Sequence, residues 1–369
     1  MSKRATFPIA TSALVLLTLS STPAEAHDEI RVSEPILIED PQNRDARASD
    51  INNRGVVVGS VETLGTNVPF SWSLRTGFIE LPLPIENGAG QANAINDCGE
   101  IVGETGFSPQ PHFFRHAARW TRSGEVEDLG AFPIEEPDDK PRVSAATDIN
   151  ELGVVVGWST LGVHADDNHA FIWTEADGMR DLGSLGPFDS TVPFAINNRN
   201  EVVGVNVSPS GRQRAFYWSE RTGMIDLGLE ADRESFALGI NDRGVVVGNS
   251  ASAGFTWTRQ RGLRRLADPD ESDFAFPFPR DISRGGLIVG NIGQSAALWV
   301  RPNKVVTLSA NPGVDAFATA INDKGKIVGW ITLDPHTGTE RAALWRIGRG
   351  FVNPPDPKEI DQLCKRPRN

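Results

Sequence analysis

Positive charge is in short supply. The 369-residue chain carries 36 Lys and Arg against 48 Asp and Glu, a formal net charge of −12 at pH 7. That balance argues against nucleic acid or an anionic lipid surface as partner, since both are bound by neutralising phosphates with cations. Long apolar runs are also scarce. Past the first 26 residues, no stretch approaches the roughly 18 apolar residues of a membrane helix, so no membrane insertion is expected. There are only two cysteines, Cys98 and Cys364. An even count in an exported chain makes one Cys98–Cys364 disulfide the candidate, with two free thiols as the alternative. There is no Gly-x-Ser-x-Gly elbow and no calcium loop with alternating ligands.

What the chain does have is a repeat. An Ile-Asn-Asp-x-Gly-type element places Asn at 52, 96, 150, 197, 241 and 322, with Ser283 in the sixth unit. These positions lie 44, 54, 47, 44, 42 and 39 residues apart. A Val-Gly element follows, closing on Gly59, Gly103, Gly157, Gly204, Gly248, Gly290 and Gly329. Each unit then carries Trp72, Trp120, Trp173, Trp218, Trp257, Trp299 or Trp345, which leaves Trp158 and Trp330 outside the pattern.

Every unit reads as four short strands, A to D, because β-branched and aromatic runs are bounded by Gly, Asn and Asp. Asn241-Asp242-Arg243-Gly244 fits a type I turn with its Gly in the left-handed region, and Asn200 is the residue with a side chain that best replaces Gly there. Seven such units predict an all-β fold: a seven-bladed β-propeller with four short antiparallel strands per blade. The recurring Trp is expected in the core between blades.

The unit resembles the HAF repeat of predicted extracellular bacterial proteins. His169-Ala170-Phe171 matches its name, Ala320-Ile321-Asn322-Asp323-Lys324-Gly325-Lys326-Ile327-Val328-Gly329 its turn element, and Asp128-Leu129-Gly130, Asp181-Leu182-Gly183 and Asp226-Leu227-Gly228 its ending. The resemblance spans residues 46–354. It implies export and a propeller-like fold, and it assigns no catalytic residues.

Residues 1–26 read as a secretory signal, with Lys3 and Arg4, an apolar centre at Ala13–Leu19 and a cleavage site at Ala24-Glu25-Ala26. Cleavage after Ala26 implies a secreted or periplasmic protein. It would leave His27 at the new N-terminus; that residue could chelate copper, but no partner His can be placed beside it. Residues 27–354 form the propeller and 355–369 a tail. The segment near 36–39 resembles a fourth strand without its unit and is expected to close the ring against the last blade.

Tight Asn-x-x-Gly turns join A to B, so one face of the disc is plain. Long connections at Ser60–Pro69, Glu104–His116, Trp158–Asn168 and Trp330–Glu340 read as loops that decorate the other face, where binding usually resides. Trp158 and Trp330 open two of these segments and are the candidate ligand contacts, with packing under the loops as the alternative. His112 with His116, and His164 with His169, have ligand chemistry without a zinc-site context, so surface or packing roles are favoured and no metal is assigned. The acidic runs Glu135–Asp139 and Asp268–Asp273 could attract calcium but read as solvated surface.

The expected function is a monomeric, non-catalytic binding module that presents its loop-rich face to an envelope or extracellular protein or a glycan. A polysaccharide-active hydrolase or lyase is the alternative.

Overall fold

The computed structural model describes residues 30–63, 65–86, 88–107, 115–133, 142–161, 168–228, 234–251, 253–268, 276–308, 314–334, 336–348 and Cys364. Among them every regular element is a strand, and the strands form seven four-stranded antiparallel sheets. This is the seven-bladed propeller. Blade one runs Ala46–Ile51, Val57–Thr63, Thr66–Ser73 and Gly77–Glu80, from the axis outward. Blades two to six repeat this order. Blade seven takes strands A to C from Ala316–Ile321, Lys326–Asp334 and Thr339–Arg346, and its outer strand is Ile36–Ile38 from the other end of the chain.

The Val-Gly glycine is explained by space rather than by backbone angle. In all seven blades strand A shifts register opposite this glycine, for example between Ala237 and Gly239. The bulge presses a strand A carbonyl onto strand B. A Cβ on Gly248 would lie 2.0 Å from the Phe236 carbonyl oxygen, and one on Gly329 would lie 1.8 Å from that of Phe317. The turn glycine is needed for its angle: Gly244 has φ 71°, and Asn200 takes the same role at φ 57°.

The core lies between blades. Six of the seven repeated Trp are buried; Trp173 is half-buried, with the Arg119 guanidinium 4.9 Å from its ring centre. Alternate strand residues supply the rest, such as Phe171, Phe216 and Phe255.

The His-Ala-Phe and Asp-Leu-Gly elements also decode. His169 Nδ1 lies 2.9 Å from the Asp181 carboxylate on the neighbouring strand, while Ala170 and Phe171 are fully buried. The Asp181 carboxylate accepts the Gly183 amide at 2.7 Å, Leu182 points into the core, and Gly183 has φ 77°. Burial pushes the Asp181 carboxyl up, but the bonds from His169 and Gly183 outweigh it and leave it below the ordinary value. His116 with Asp128, and Arg214 with Asp226, repeat the arrangement.

Two segments read from sequence as loops are strands. Val57–Thr63 with Thr66–Ser73 in blade one, and Lys326–Asp334 with Thr339–Arg346 in blade seven, continue their pairing into Ser60–Pro69 and Trp330–Glu340. The sequence signal fades there because the strand ends carry polar residues, Glu62, Thr63, Thr66 and Asn67 in blade one and Thr332, Asp334 and Thr339 in blade seven.

Candidate functional site

The seven inner strands surround a central channel, and its two ends differ. At the plain face the repeated Asn residues ring its mouth and tie each blade to the next. Asn241 Oδ1 accepts the amides of Arg243 and Val245, both at 3.1 Å, which staples its own turn. Its Nδ2 donates to the Ser283 carbonyl of the next blade at 3.1 Å. The same bond runs from Asn52 to Asn96, Asn96 to Asn150, Asn150 to Asn197, Asn197 to Asn241 and Asn322 to Asn52. A carboxamide is needed because the position must accept from one blade and donate to the next.

The following residue makes a second tier. The amides of Asn53, Asp97, Glu151, Asn198, Arg284 and Asp323 each donate to a side-chain oxygen one blade on. Arg284 has no acceptor to offer blade five, and its guanidinium instead reaches the Asp242 carboxylate at 3.1 Å.

A third tier lies deeper. Asp50 accepts the Ile51 amide at 2.7 Å and the Ile95 amide of the next blade at 2.8 Å. Asp148 and Asp281 do the same toward Ile196 and Ile321. The blades that follow carry Ala94, Ala195 and Ala320 at this position, which leaves room for each carboxylate. Side-chain edges reach the lumen, but the surrounding protein excludes bulk water and disfavours charge. Burial raises Asp50 to about 6, Asp281 to about 7, Asp148 well above the ordinary value, and Glu151 in the second tier to about 8. These carboxylates serve the walls: their bonds go to backbone amides between blades.

At the loop-bearing end the channel widens into a cavity of about 590 Å³. Its wall is divided. Phe194, Phe236, Leu238, Phe278 and Trp330 line it from blades four to seven, while Ser49, Ser60, Asn67 and Gln91 line it from blades one and two. Five charged residues join them: Asp45, Arg47, Glu62, Arg280 and Glu340. Arg47 makes a two-pronged bond to Glu340, with its Nη2 at 2.8 Å, and lies over the Trp330 ring at 5.2 Å. Asp45 is met by Arg341 at 3.3 Å. Arg280 rests on the Phe278 ring at 4.7 Å and makes no hydrogen bond or ion pair among the described residues. Its side chain is exposed, and partial desolvation by the cavity wall shifts its pKa downward.

Sequence reasoning placed one of its two Trp candidates here. Trp330 lines the cavity, stacked on Phe317 with ring centres 5.1 Å apart. Trp158 does not line it; it sits within the strand Val155–Thr160, opposite Ala145 and Ala170. The phenylalanines and Arg280 went unnoticed, although a signal existed. Strand A carries a phenylalanine only in blades four to seven, at Phe194, Phe236, Phe278 and Phe317, whereas blades one to three have none and place Ser49, Asn93 and Thr147 at the bulge.

Cys98 is joined to Cys364 with Cα atoms 5.3 Å apart, on the plain face. His27, His112, His164, the run Glu135–Asp139, the signal segment and the tail apart from Cys364 lie outside the described residues, as do residues 269–273 of the second acidic run. Among the described residues no three His, Cys, Asp or Glu side chains are grouped to hold a metal, and no helix is long and apolar enough to cross a membrane.

No protein-family model and no curated protein sequence matches the chain. Solved propellers do match its shape. Virginiamycin B lyase from Staphylococcus aureus aligns with a TM-score of 0.57 at 13% identity, over 86% of this chain and 99% of that one. YCF48 bound to D1 peptide aligns with a TM-score of 0.51 at 10% identity, over 87% and 97%. A post-proline cleaving enzyme from Rickettsia typhi aligns with a TM-score of 0.52 at 8% identity, over 85% of this chain and 54% of the enzyme. At these identities the likeness establishes the propeller fold and nothing about chemistry.

Proposed function

We infer that this chain is an exported, non-catalytic binding module of the HAF-repeat kind, which receives an envelope or extracellular protein or glycan at the cavity of its loop-bearing face. The observation that carries this reading is the contrast between the two channel ends. At the plain end polar side chains are spent on bonds that tie each blade to the next around the rim, whereas at the other end Phe194, Phe236, Phe278 and Trp330 stand half-buried around a cavity of about 590 Å³. Half-buried aromatic rings around a cavity of this size, with a few polar groups beside them, are the usual composition of a ligand site. The charged groups of this cavity are spent on one another, apart from Arg280 and Glu62, which favours recognition over proton transfer. One solved propeller of the same shape is described with a peptide bound.

The test compares the immobilised mature protein with its Phe236→Ser variant, using envelope and culture-medium fractions of the source cells. Retention of a partner by the parent and its loss by a variant that melts at a similar temperature is the expected result. Equal recovery by both would remove the cavity from the function. Polysaccharide turnover abolished by a single carboxylate change would replace binding by catalysis.

A further inference from the structure

Two unpaired charges of opposite sign remain in this cavity, set apart along a wall of aromatic rings. Arg280 projects from the bulge of strand A in blade six, where every other blade has an uncharged residue: Ser49, Asn93, Thr147, Phe194, Leu238 or Thr319. The Arg280 guanidinium is exposed to the water of the cavity, held over the Phe278 ring and committed to no carboxylate among the described residues, so an entering anion meets an uncommitted partner. Glu62 stands exposed on the hairpin of blade one, its carboxylate without a hydrogen-bond partner among the described residues and in electrostatic reach of Arg47, which is already bound to Glu340. Trp330 of blade seven lies between the two blades.

Resting on the binding reading above, we propose that the cavity takes the carboxyl end of a peptide with an aromatic last residue, its carboxylate on Arg280 and its ring against Phe236 and Phe278. The planar guanidinium matches a carboxylate in two parallel hydrogen bonds, and the rings take an aromatic side chain edge-on or offset. The polar wall of Ser49, Ser60 and Gln91 faces the peptide's backbone groups. Polyanions fit poorly, because Asp45, Glu62 and Glu340 stand on the same wall. Glu62 offers an ion pair to the amino group of a ligand short enough to reach it.

The experiment is calorimetric titration of the mature chain with Gly-Gly-Phe, its carboxamide, and its N-acetyl form. The free acid should bind at least tenfold more tightly than the carboxamide. Arg280→Gln should erase that difference, and Arg280→Lys should retain part of it. N-acetyl peptide binding as well as the free amine identifies the end of a longer chain as the ligand; weaker binding of the acetyl form, restored to parity in Glu62→Gln, identifies free short peptides. Equal affinity for acid and carboxamide overturns the assignment while leaving the cavity a binding site. Absence of heat with all three at millimolar concentration overturns it as well, and the partner capture above then decides separately whether the cavity binds anything. Because the acid–amide comparison is made within the parent protein, a poorly folded variant does not blur the answer.

Discussion

The Asn241 side chain donates to the Ser283 carbonyl at 3.1 Å, but Ser283 has no side-chain amide with which to pass the bond on to blade seven. The ring of Asn side-chain bonds is interrupted at that one joint, which the Arg284 amide to Asp323 and the Ile321 amide to Asp281 still hold. Ser283 Oγ instead stays within its own turn, accepting the Leu287 amide at 3.1 Å. Replacing Asn241 by Ala would strand the buried Asn241 bonding partners, two amides and a carbonyl, and should cost about 3 kcal/mol. Ser283→Asn should supply the missing donor to the Asn322 carbonyl and add about 1 kcal/mol. Urea unfolding of both variants checks the pair. A Ser283→Asn variant no more stable than the parent would mean that the joint is already satisfied another way.

Two kinds of glycine predict two sizes of damage. Gly248→Ala would place a methyl 2.0 Å from the Phe236 carbonyl oxygen, against backbone that is fixed by two strands. The bulge would have to open, and the loss should be about 3 kcal/mol. Gly262→Ala meets nothing within 4 Å and pays only for φ 64°, about 1–2 kcal/mol. The order of their denaturation midpoints tests whether crowding, rather than backbone angle, selects glycine in the Val-Gly element.

These motifs show what was legible beforehand. Period, blade count and turn type are local patterns, so Asn52 through Asn322 and the turn glycines reveal them directly. The role of each Asn amide in holding the next blade is not local; it requires residues some 44 positions apart to meet. The cavity was hidden for the same reason. Phe194, Phe236, Phe278 and Arg280 look unremarkable within their own strands and become a site only when the ring brings strand A of each blade to one axis. Trp158 and Trp330 occupy equivalent strand positions, yet only Trp330 reaches the cavity, with Arg47 of the adjoining blade held over its ring. Trp158 instead lies opposite Ala145 and Ala170.

The third tier predicts an unusual dependence on pH. Asp50, Asp148, Asp281 and Glu151 have folded pKa values raised by burial, to about 6, 7 and 8 where a value is assigned to Asp50, Asp281 and Glu151. Between pH 5 and 8 the folded chain therefore holds protons that the unfolded chain has released. Stability contributed by these groups is fully present below their unfolded values near 4 and is lost as pH rises through the folded ones. Asp181, Glu201 and Asp242, shifted down, work in the opposite direction but below pH 5. The melting temperature should fall from pH 5 to pH 8, and Asp148→Asn should reduce that slope whatever its effect at a single pH. A flat profile across this window would show that the channel carboxylates stay ionised.

Blade seven is built from both ends of the chain, and this makes ring closure testable. Ile36, Leu37 and Ile38 pair with Leu344, Ala343 and Ala342. Ile38 is fully buried in the cluster that spans blades seven and one. A chain beginning at Asp40 would lose that side chain and leave the strand Thr339–Arg346 as a bare edge. The packing loss alone should be about 3–5 kcal/mol, comparable to truncating one large core residue. The exposed edge would add a second effect, since unpaired strand groups template contact with another copy. The shortened protein should therefore melt earlier and elute partly as oligomers, while an Ile38→Ala variant should melt earlier and remain monomeric. Equal melting of the shortened and parent proteins would mean that six complete blades and a three-stranded seventh suffice to hold the ring. In that case the bonds across the blade seven–blade one joint would carry closure, among them Asn322 to Asn52, Asp323 to Asn53, Arg47 to Glu340 and Arg341 to Asp45.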